Sequence, residues 1–390
     1  MLARDLLAWT VVGTAVAVAA CADRTPVAEP TQASTITPDA RPLPPFDPPA
    51  PHAEAMNTEF YRGSKAEEAA EFASFAKQIN EIQLDQTSSR GQSVQRGFHA
   101  KAHGCVAGWF QLFPDRDPRT RFGVFADGAG PWPVWIRFSN GVGWRAGDDE
   151  LDARGMAMKL MGVSGPRLDE EQQTQDFLMT NAPTPVGRDA VEFMKFAHAN
   201  STSQLRSMLF MSAHLHTAGP ALLGTNPIES TVATQYWSGG AFHLGAHQAV
   251  KFTAKPCSFD HARTPIGSGD DRLRADLIAA AAEGFCFNFY VQFQSDPYRT
   301  PIEDASHEWS EADAPLVPVG KIVVPPQNLD DPRRDELCTS FSFSPWHGIV
   351  AHQPMGHINR ARRFVYASSR AYRKGGHEPH DFEGFAPAAP

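Results

Sequence analysis

The chain has 390 residues, 42% hydrophobic and 20% charged, with 35 basic and 44 acidic residues and a formal net charge of −9. That composition bounds it as one large globular domain or two modest ones, with ample material for a core. It contains no block of like charge, so nothing in it argues for nucleic-acid binding.

Residues 1–20 read as a targeting segment: Arg4 supplies a basic start, weakened by Asp5, and Trp9 to Ala20 is an apolar run. The run is too short to cross a bilayer comfortably as a helix. It ends Val18-Ala19-Ala20-Cys21, which resembles a bacterial lipobox with Cys21 as the acylated first residue of the mature chain. The rival is ordinary secretion with cleavage after Ala22. Either way an exported protein is expected, and the lipobox favours a periplasmic or cell-envelope lipoprotein that meets the membrane only through Cys21. Residues 21–55 are rich in Pro, Ala and Thr, with Pro42, Pro44, Pro45, Pro48, Pro49 and Pro51 crowded together. Such a stretch buries little apolar area and is held extended, as a tether would be.

Ser64-Lys-Ala-Glu67 is a capping box, in which serine and glutamate satisfy free backbone N–H groups reciprocally. Phe72, Phe75, Ala76, Ile79 and Ile82 follow at helical spacing, so a structural helix is expected. From Arg96 the pattern turns to strands. His99, Lys101 and His103 share one face of an unbulged strand, but with no third clustered ligand a zinc site is weakly supported. Strand-like runs follow at 105–113, 133–138, 156–161, 249–254, 284–294 and 316–324. In the fifth, Phe285, Phe287, Phe289, Val291 and Phe293 alternate, which marks a strand with one apolar face. Helices are expected over 188–199, 203–214 and 271–283, the last stopped by Gly284. With Cys21 acylated, Cys105, Cys257, Cys286 and Cys338 remain. Four cysteines permit three pairings, and buried free thiols are an equal alternative.

The segment 355–373, MGHINRARRFVYASSRAYR, read as a helix, puts Ile358, Ala361, Val365, Ser368 and Tyr372 on an inward stripe. Arg362, Tyr366, Arg370 and Arg373 form a second stripe. Arginines one turn on either side of a tyrosine favour phenolate over phenol, and phenolate is a hard ligand for iron.

Arg362-x-x-x-Tyr366 with Arg373 seven residues on resembles the proximal haem segment of the catalase superfamily. Upstream, Arg96-Gly-Phe-His99-Ala-Lys resembles its distal segment, and Trp135-Ile-Arg137-Phe-Ser139 the strand carrying a propionate-binding arginine and a serine near the distal histidine. Asp152-Ala-Arg154-Gly155-Met-Ala-Met-Lys159 and Pro315-Leu-Val-Pro-Val-Gly320-Lys-Ile resemble two further strands of the family in the same chain order. The resemblance covers roughly Phe60 to Arg373 and implies an α+β fold, an antiparallel β-barrel with packed helices, that binds haem b. The haem domain is placed at 56–378 and a C-terminal tail at 379–390. By the same resemblance Tyr366 ligates iron, and Arg362 supports it. Arg96, Arg137 and Arg373 pair with propionates, Phe193 lines the haem, and His99, Ser139 and Asn181 act on the distal side.

There are departures. Without a gap, Thr180 takes the place of the family's distal asparagine, and a one-residue shift restores Asn181. Pro185 stands where a phenylalanine is usual, and the run from His99 to Phe110 is one residue longer than in the large catalases. These features resemble the small, catalase-related peroxidase branch. The implied activity is consumption of hydrogen peroxide or organic hydroperoxides. The alternatives are a lipid-hydroperoxide isomerase of the allene-oxide-synthase type and a non-catalytic haem-binding lipoprotein. Oligomeric state is not indicated.

The lipobox reading is checked by Cys21→Ser, which is expected to move the protein from a membrane fraction to a soluble or unprocessed form. An unchanged soluble distribution in parent and variant points to ordinary secretion.

Overall fold

A computed structural model describes residues 59, 61–91, 94, 96–168, 173–202, 204–214, 225, 227–258, 269–373 and 376–389. The expected leader, Cys21 and the tether lie outside the described residues. Helix α1 (Lys65–Arg90) begins at the capping box: Ser64 Oγ accepts from Glu67 N–H, and the Glu67 carboxylate accepts from Ser64 N–H. It ends at Gly91 in the left-handed region.

Nine strands follow, interspersed with helices: β1 (Ala102–Leu112), β2 (Trp132–Asn140), β3 (Arg154–Met161), β4 (Thr174–Thr180), β5 (Tyr236–Trp237), β6 (Phe242–His243), β7 (Ala249–Pro256), β8 (Phe285–Phe293) and β9 (Leu316–Val324). Their lateral order is β5-β4-β3-β2-β1-β9-β8-β7-β6, and β5 also pairs with β7. That last pairing closes an antiparallel barrel of eight strands, with β6 added beside β7. The helices are α2 (Ala190–Thr202), α3 (Gln204–Ala213), α4 (Arg272–Glu283), α5 (Pro332–Ser340) and α6 (His357–Tyr372). The short strands β5 and β6, β4 and helix α5 carry too little periodic apolar pattern to be anticipated from sequence.

An eight-stranded barrel is just wide enough to be filled by its own side chains. Here Phe110, Phe125, Phe138, Phe177, Phe242, Phe252, Phe287 and Phe289 are all fully buried in one core. His352 reaches into this apolar packing, its Nε2 accepting from Val124 N–H at 3.0 Å, with the Phe125 ring 5.0 Å away. Burying each such phenylalanine stabilises the fold by about 2–3 kcal/mol. The interior therefore has no room for a ligand, and chemistry must sit on the outer face.

Helix α6 is held against the barrel by α1. Phe72, Phe75, Ile79 and Ile82 pack with Ala361, Phe364 and Val365, while Asn80 Nδ2 donates to Ser368 Oγ at 2.9 Å. The inward stripe Ala361–Val365–Ser368 is thus the face turned toward α1. At the other end of α6 the buried Arg360 guanidinium donates to Glu59 and Glu303 at 2.8 Å and to Glu68 at 3.0 Å. A buried cation is tolerated only with such partners.

Two disulfides join Cys105 to Cys338 and Cys257 to Cys286. The first ties β1 to α5; the second links the residue after β7 to its neighbour on β8. The free-thiol alternative is not what the structure contains.

Packing does not stop at residue 378. Phe382 inserts beside Trp109 and Trp135, with ring centroids 5.4 and 6.2 Å apart. Trp135 Nε1 donates to Asp381 O at 3.0 Å and Trp109 Nε1 to Ala388 O at 2.8 Å. The expected tail at 379–390 is therefore, through residue 389, part of the folded body. Its alanine- and proline-rich end gave no periodic signal. Phe382→Ala should cost about 3 kcal/mol through lost burial and the cavity left behind, read as a lower denaturant midpoint; a change within about 0.5 kcal/mol, as at a surface site, would show that the segment is dispensable.

Candidate active site

Three strands set the geometry. Ser139 of β2 lies opposite Gly155 of β3, and Gly155 lies opposite Thr180 of β4. Residues directly paired across strands face the same side. Phe138, Met156 and Met179 belong to the interior core, so Ser139, Gly155 and Thr180 form a row on the outer face. Trp237 of β5 continues it opposite Thr180.

His99 is laid over this row. A Cβ added to Gly155 would stand 2.6 Å from His99 Nδ1 and 2.9 Å from Ser139 Oγ. Only glycine lets the imidazole lie so close to the sheet. His99 Nδ1 is 3.1 Å from Ser139 Oγ, which leaves Nε2 as the ring nitrogen available to a substrate. The His99 backbone has φ +57°, a left-handed conformation that costs a non-glycine residue about 1–3 kcal/mol and clusters at functional sites. It is held there by His99 N–H donating to Gly141 O at 2.8 Å and by Arg137 Nη2 donating to His99 O at 2.8 Å. Asp152 fixes the loop behind, accepting from Gly141 N–H at 2.7 Å and Val142 N–H at 3.1 Å. Arg154 in turn donates to the carbonyls of Asp152 and Asp148. The segment Asp152–Gly155 thus serves as the frame for His99.

His103 does not share this site. The β1–β2 register shifts between Ala102 and Gly104, so a bulge takes His103 out of the alternation. His103 is fully buried, 3.9 Å from Asp148, in a cluster with Lys101. Among the described residues no group of histidines, cysteines and carboxylates could hold a metal ion.

Burial, and then repulsion from Arg137, pushes the His99 imidazole down to about 4. It is therefore neutral, and able to accept a proton, through the whole physiological range. The charges of Arg362 and Arg96 also act on it, in the same direction as that of Arg137. On α6 Arg362 Nη2 donates to Tyr366 Oη at 3.0 Å, and Arg362 Nη1 donates to Asn359 Oδ1 at 3.0 Å. Phe193 of α2 packs on Phe98 with ring centroids 5.4 Å apart, in the cluster that includes Val365.

Arg96, Arg137 and Arg373 are mutually repelling cations. Burial, then Arg137 and Arg373, holds Arg96 well below its usual range; burial, then Arg373, pushes Arg137 down to about 9. Arg96 and Arg373 both donate to Phe341 O, and Arg137 donates to His99 O. Among the described residues none of the three has an ion-pair partner at hydrogen-bonding distance, and Arg137 Nε is buried with no acceptor. Forked guanidinium donors of this kind suit an anion with two or more carboxylates, and the propionates of a haem would fit them.

Asn181 is placed differently from the expectation. Its Oδ1 accepts from Arg154 N–H at 2.6 Å and its N–H donates to Arg154 O at 2.9 Å. Its side-chain oxygen is committed to the frame, and the residue aligned with Ser139 and Gly155 is Thr180. Strand parity decided this, and parity was unavailable while β4 was unrecognised.

A family model for catalase matches residues 73–215. The chain is 24% identical over 315 residues to the peroxisomal catalase of Toxoplasma gondii, covering 73% of this chain and 60% of that one. It is 23% identical over 332 residues to catalase-2 of Bacillus subtilis, covering 76% and 46%. Among solved structures it is similar to a fungal catalase (TM-score 0.59, 20% identity, covering 73% and 61%). It is also similar to catalase A from Saccharomyces cerevisiae (TM-score 0.58, 22% identity, 74% and 63%). In the matched segment and in its fold the chain is similar to catalases. It spans about 60% of the length of the first catalases it matches. The catalase fold accounts for the barrel, and the family match runs from within α1 past α3, so it includes His99, Ser139 and Thr180 but not Tyr366.

The buried histidines predict an acid-sensitive fold. His99 (about 4), His352 (about 3, by burial) and His103 (lowered by burial) all lie below the ordinary histidine value near 6.5. Between about pH 6.5 and 4 the unfolded chain binds protons that the folded chain does not, so stability is full above 6.5 and lost as pH falls. Asp152, pushed up to about 6 by burial, acts in the opposite sense between about 4 and 6 and offsets part of the loss. Denaturant midpoints at pH 7 and pH 4.5 check this, the lower pH giving the lower midpoint; equal midpoints would mean the histidines are not buried neutral.

Proposed function

We propose that this chain is a haem-dependent enzyme of the catalase and peroxidase type that consumes hydrogen peroxide or organic hydroperoxides outside the cytoplasm. The observation that carries the reading is His99, neutral and tethered through Nδ1 to Ser139 over Gly155, with the charge of Arg362 on the Tyr366 helix acting on it. Tyr366 would ligate the iron, its oxygen charge-stabilised by Arg362. Arg96, Arg137 and Arg373 would hold the propionates, and Phe98 and Phe193 would wall the macrocycle. Bound haem supplies the redox chemistry that splits the O–O bond of a hydroperoxide.

The chain's own part is proton handling and exclusion of water. His99 Nε2 takes the proton of the incoming hydroperoxide and returns it to the departing oxygen, base then acid. A low intrinsic basicity suits the second half of that role. The Ser139 hydroxyl fixes the ring's tautomer and plane, as the partner of a catalytic imidazole must. The intact His99–Ser139 pair favours this reading over a non-catalytic haem carrier.

Export is supported by chemistry as well as by the lipobox. Disulfides persist in oxidising compartments, and the two pairs here use every cysteine other than Cys21. The departures at Thr180 and Pro185 favour the smaller, peroxidase-like branch.

Purified protein supplied with haem is expected to carry near one equivalent per chain and to show a Soret band. Tyr366→Phe keeps the ring's packing but removes the ligand, so the band should shift or vanish with folding retained. His99→Ala should keep haem and lose about 10²–10⁴-fold in peroxide turnover, whereas His103→Ala, at matched haem content, costs much less. No Soret band in the parent would end the haem reading, and the reverse order of the two histidines would end the assigned role of His99.

A further inference from the structure

The outer row of the barrel carries a second polar group besides His99, and the family's usual asparagine is not it. Thr180 faces outward in register with Gly155, which is itself the cradle of the His99 ring. Neighbouring strands are about 5 Å apart, so the Thr180 side chain stands one strand away from the imidazole. Its hydroxyl makes one long hydrogen bond, to Ala182 O at 3.3 Å. A hydroxyl rotates freely and retains acceptor lone pairs while it donates. It can therefore exchange that weak local bond for a ligand. Asn181, the next residue, is out of the Ser139–Gly155–Thr180 row, and its side-chain oxygen is already engaged. Its Oδ1 bond to Arg154 N–H, at 2.6 Å, belongs to the frame that carries Gly155, and breaking it would leave a buried backbone donor unpaired.

Resting on the haem reading above, we infer that Thr180 is the second distal contact of this site: its hydroxyl, in place of a carboxamide, hydrogen-bonds a small ligand or hydroperoxide held beside His99. Two consequences follow from chemistry. One rotatable O–H replaces two fixed N–H donors, so the terminal oxygen of a substrate is oriented less strictly. The shorter side chain also leaves more room on the row, and Trp237 of β5, partly exposed, is paired with Thr180 there. An alkyl hydroperoxide, with an apolar substituent beyond its reacting oxygens, is the substrate class that gains most from both.

The test uses the haem-loaded full chain and cyanide as probe, with the dissociation constant read from the Soret shift. Cyanide enters as a neutral acid whose proton goes to His99, and the bound anion then accepts from the Thr180 hydroxyl. Thr180→Val removes only the hydroxyl and keeps a β-branched side chain suited to a strand. It is expected to weaken cyanide binding about tenfold, the upper range for one hydrogen bond. Thr180→Ser should bind like the parent. Asn181→Ala should lower thermal stability, because it removes the acceptor of Arg154 N–H. Unchanged affinity in Thr180→Val overturns the inference, whatever becomes of Asn181→Ala. A parent without a Soret band would refute the haem reading itself. A parent that binds haem and cyanide, joined to a Thr180→Val variant indistinguishable from it, refutes the role of Thr180 alone.

Discussion

A filled barrel is the constraint from which the rest of this structure follows. Eight strands close around a core of stacked phenylalanines, and side chains on a strand alternate with a period of two. Once Phe138, Met156 and Met179 are inside, Ser139, Gly155 and Thr180 have to be outside. A one-residue slip would drive polar groups into the phenylalanines and dissolve both the core and the site. Packing energy thus sets the register, and the register sets the chemistry.

The outer face becomes a site only because helices cover it. Helix α6 contributes Tyr366 and its arginines, and two unlike interactions position it: apolar packing on α1, and the buried Arg360 shared among Glu59, Glu68 and Glu303. The apolar contact is tolerant of small shifts; the four-way ionic contact is not, because Glu68, left unpaired, would be a buried carboxylate. The C-terminal segment extends the same logic. The chain at His377 pairs with Phe341, whose carbonyl receives both Arg96 and Arg373. Buried Glu378 contacts Lys159 at 2.6 Å, and Lys159 donates to Asp176 on the neighbouring strand at 2.8 Å. Anchoring the last residues is therefore coupled to the geometry of the cationic receptor.

His99 illustrates how local cost is met by global structure. A left-handed histidine beside three arginines is poor on each count taken singly. Hydrogen bonds to Gly141, Ser139 and Arg137, together with a glycine at 155, hold it there. Burial, and then the Arg137 charge, depress its basicity, and the Ser139 contact at Nδ1 leaves Nε2 as its outer nitrogen.

Much of this was legible in the chain itself. The capping box at Ser64, the alternating phenylalanines of β8, the stop at Gly284 and the arginine–tyrosine stripe of α6 are local patterns, set by backbone hydrogen bonding and by 2.0 and 3.6 periodicity. Motifs such as Asp152–Gly155 and Arg362–Tyr366 are local too, and they carry the resemblance to catalases. What the chain could not reveal is relational. Which cysteines meet depends on strand order; whether His99 and His103 share a face depends on a bulge, and a bulge has no reliable local signature. Whether Thr180 or Asn181 faces the site depends on where β4 pairs, which sums contacts from β3 and β5 that lie far off in sequence. Residue types and spacings determine what chemistry is possible, whereas the tertiary structure alone decides which side chains meet, because parity and register are properties of paired strands and not of any one of them.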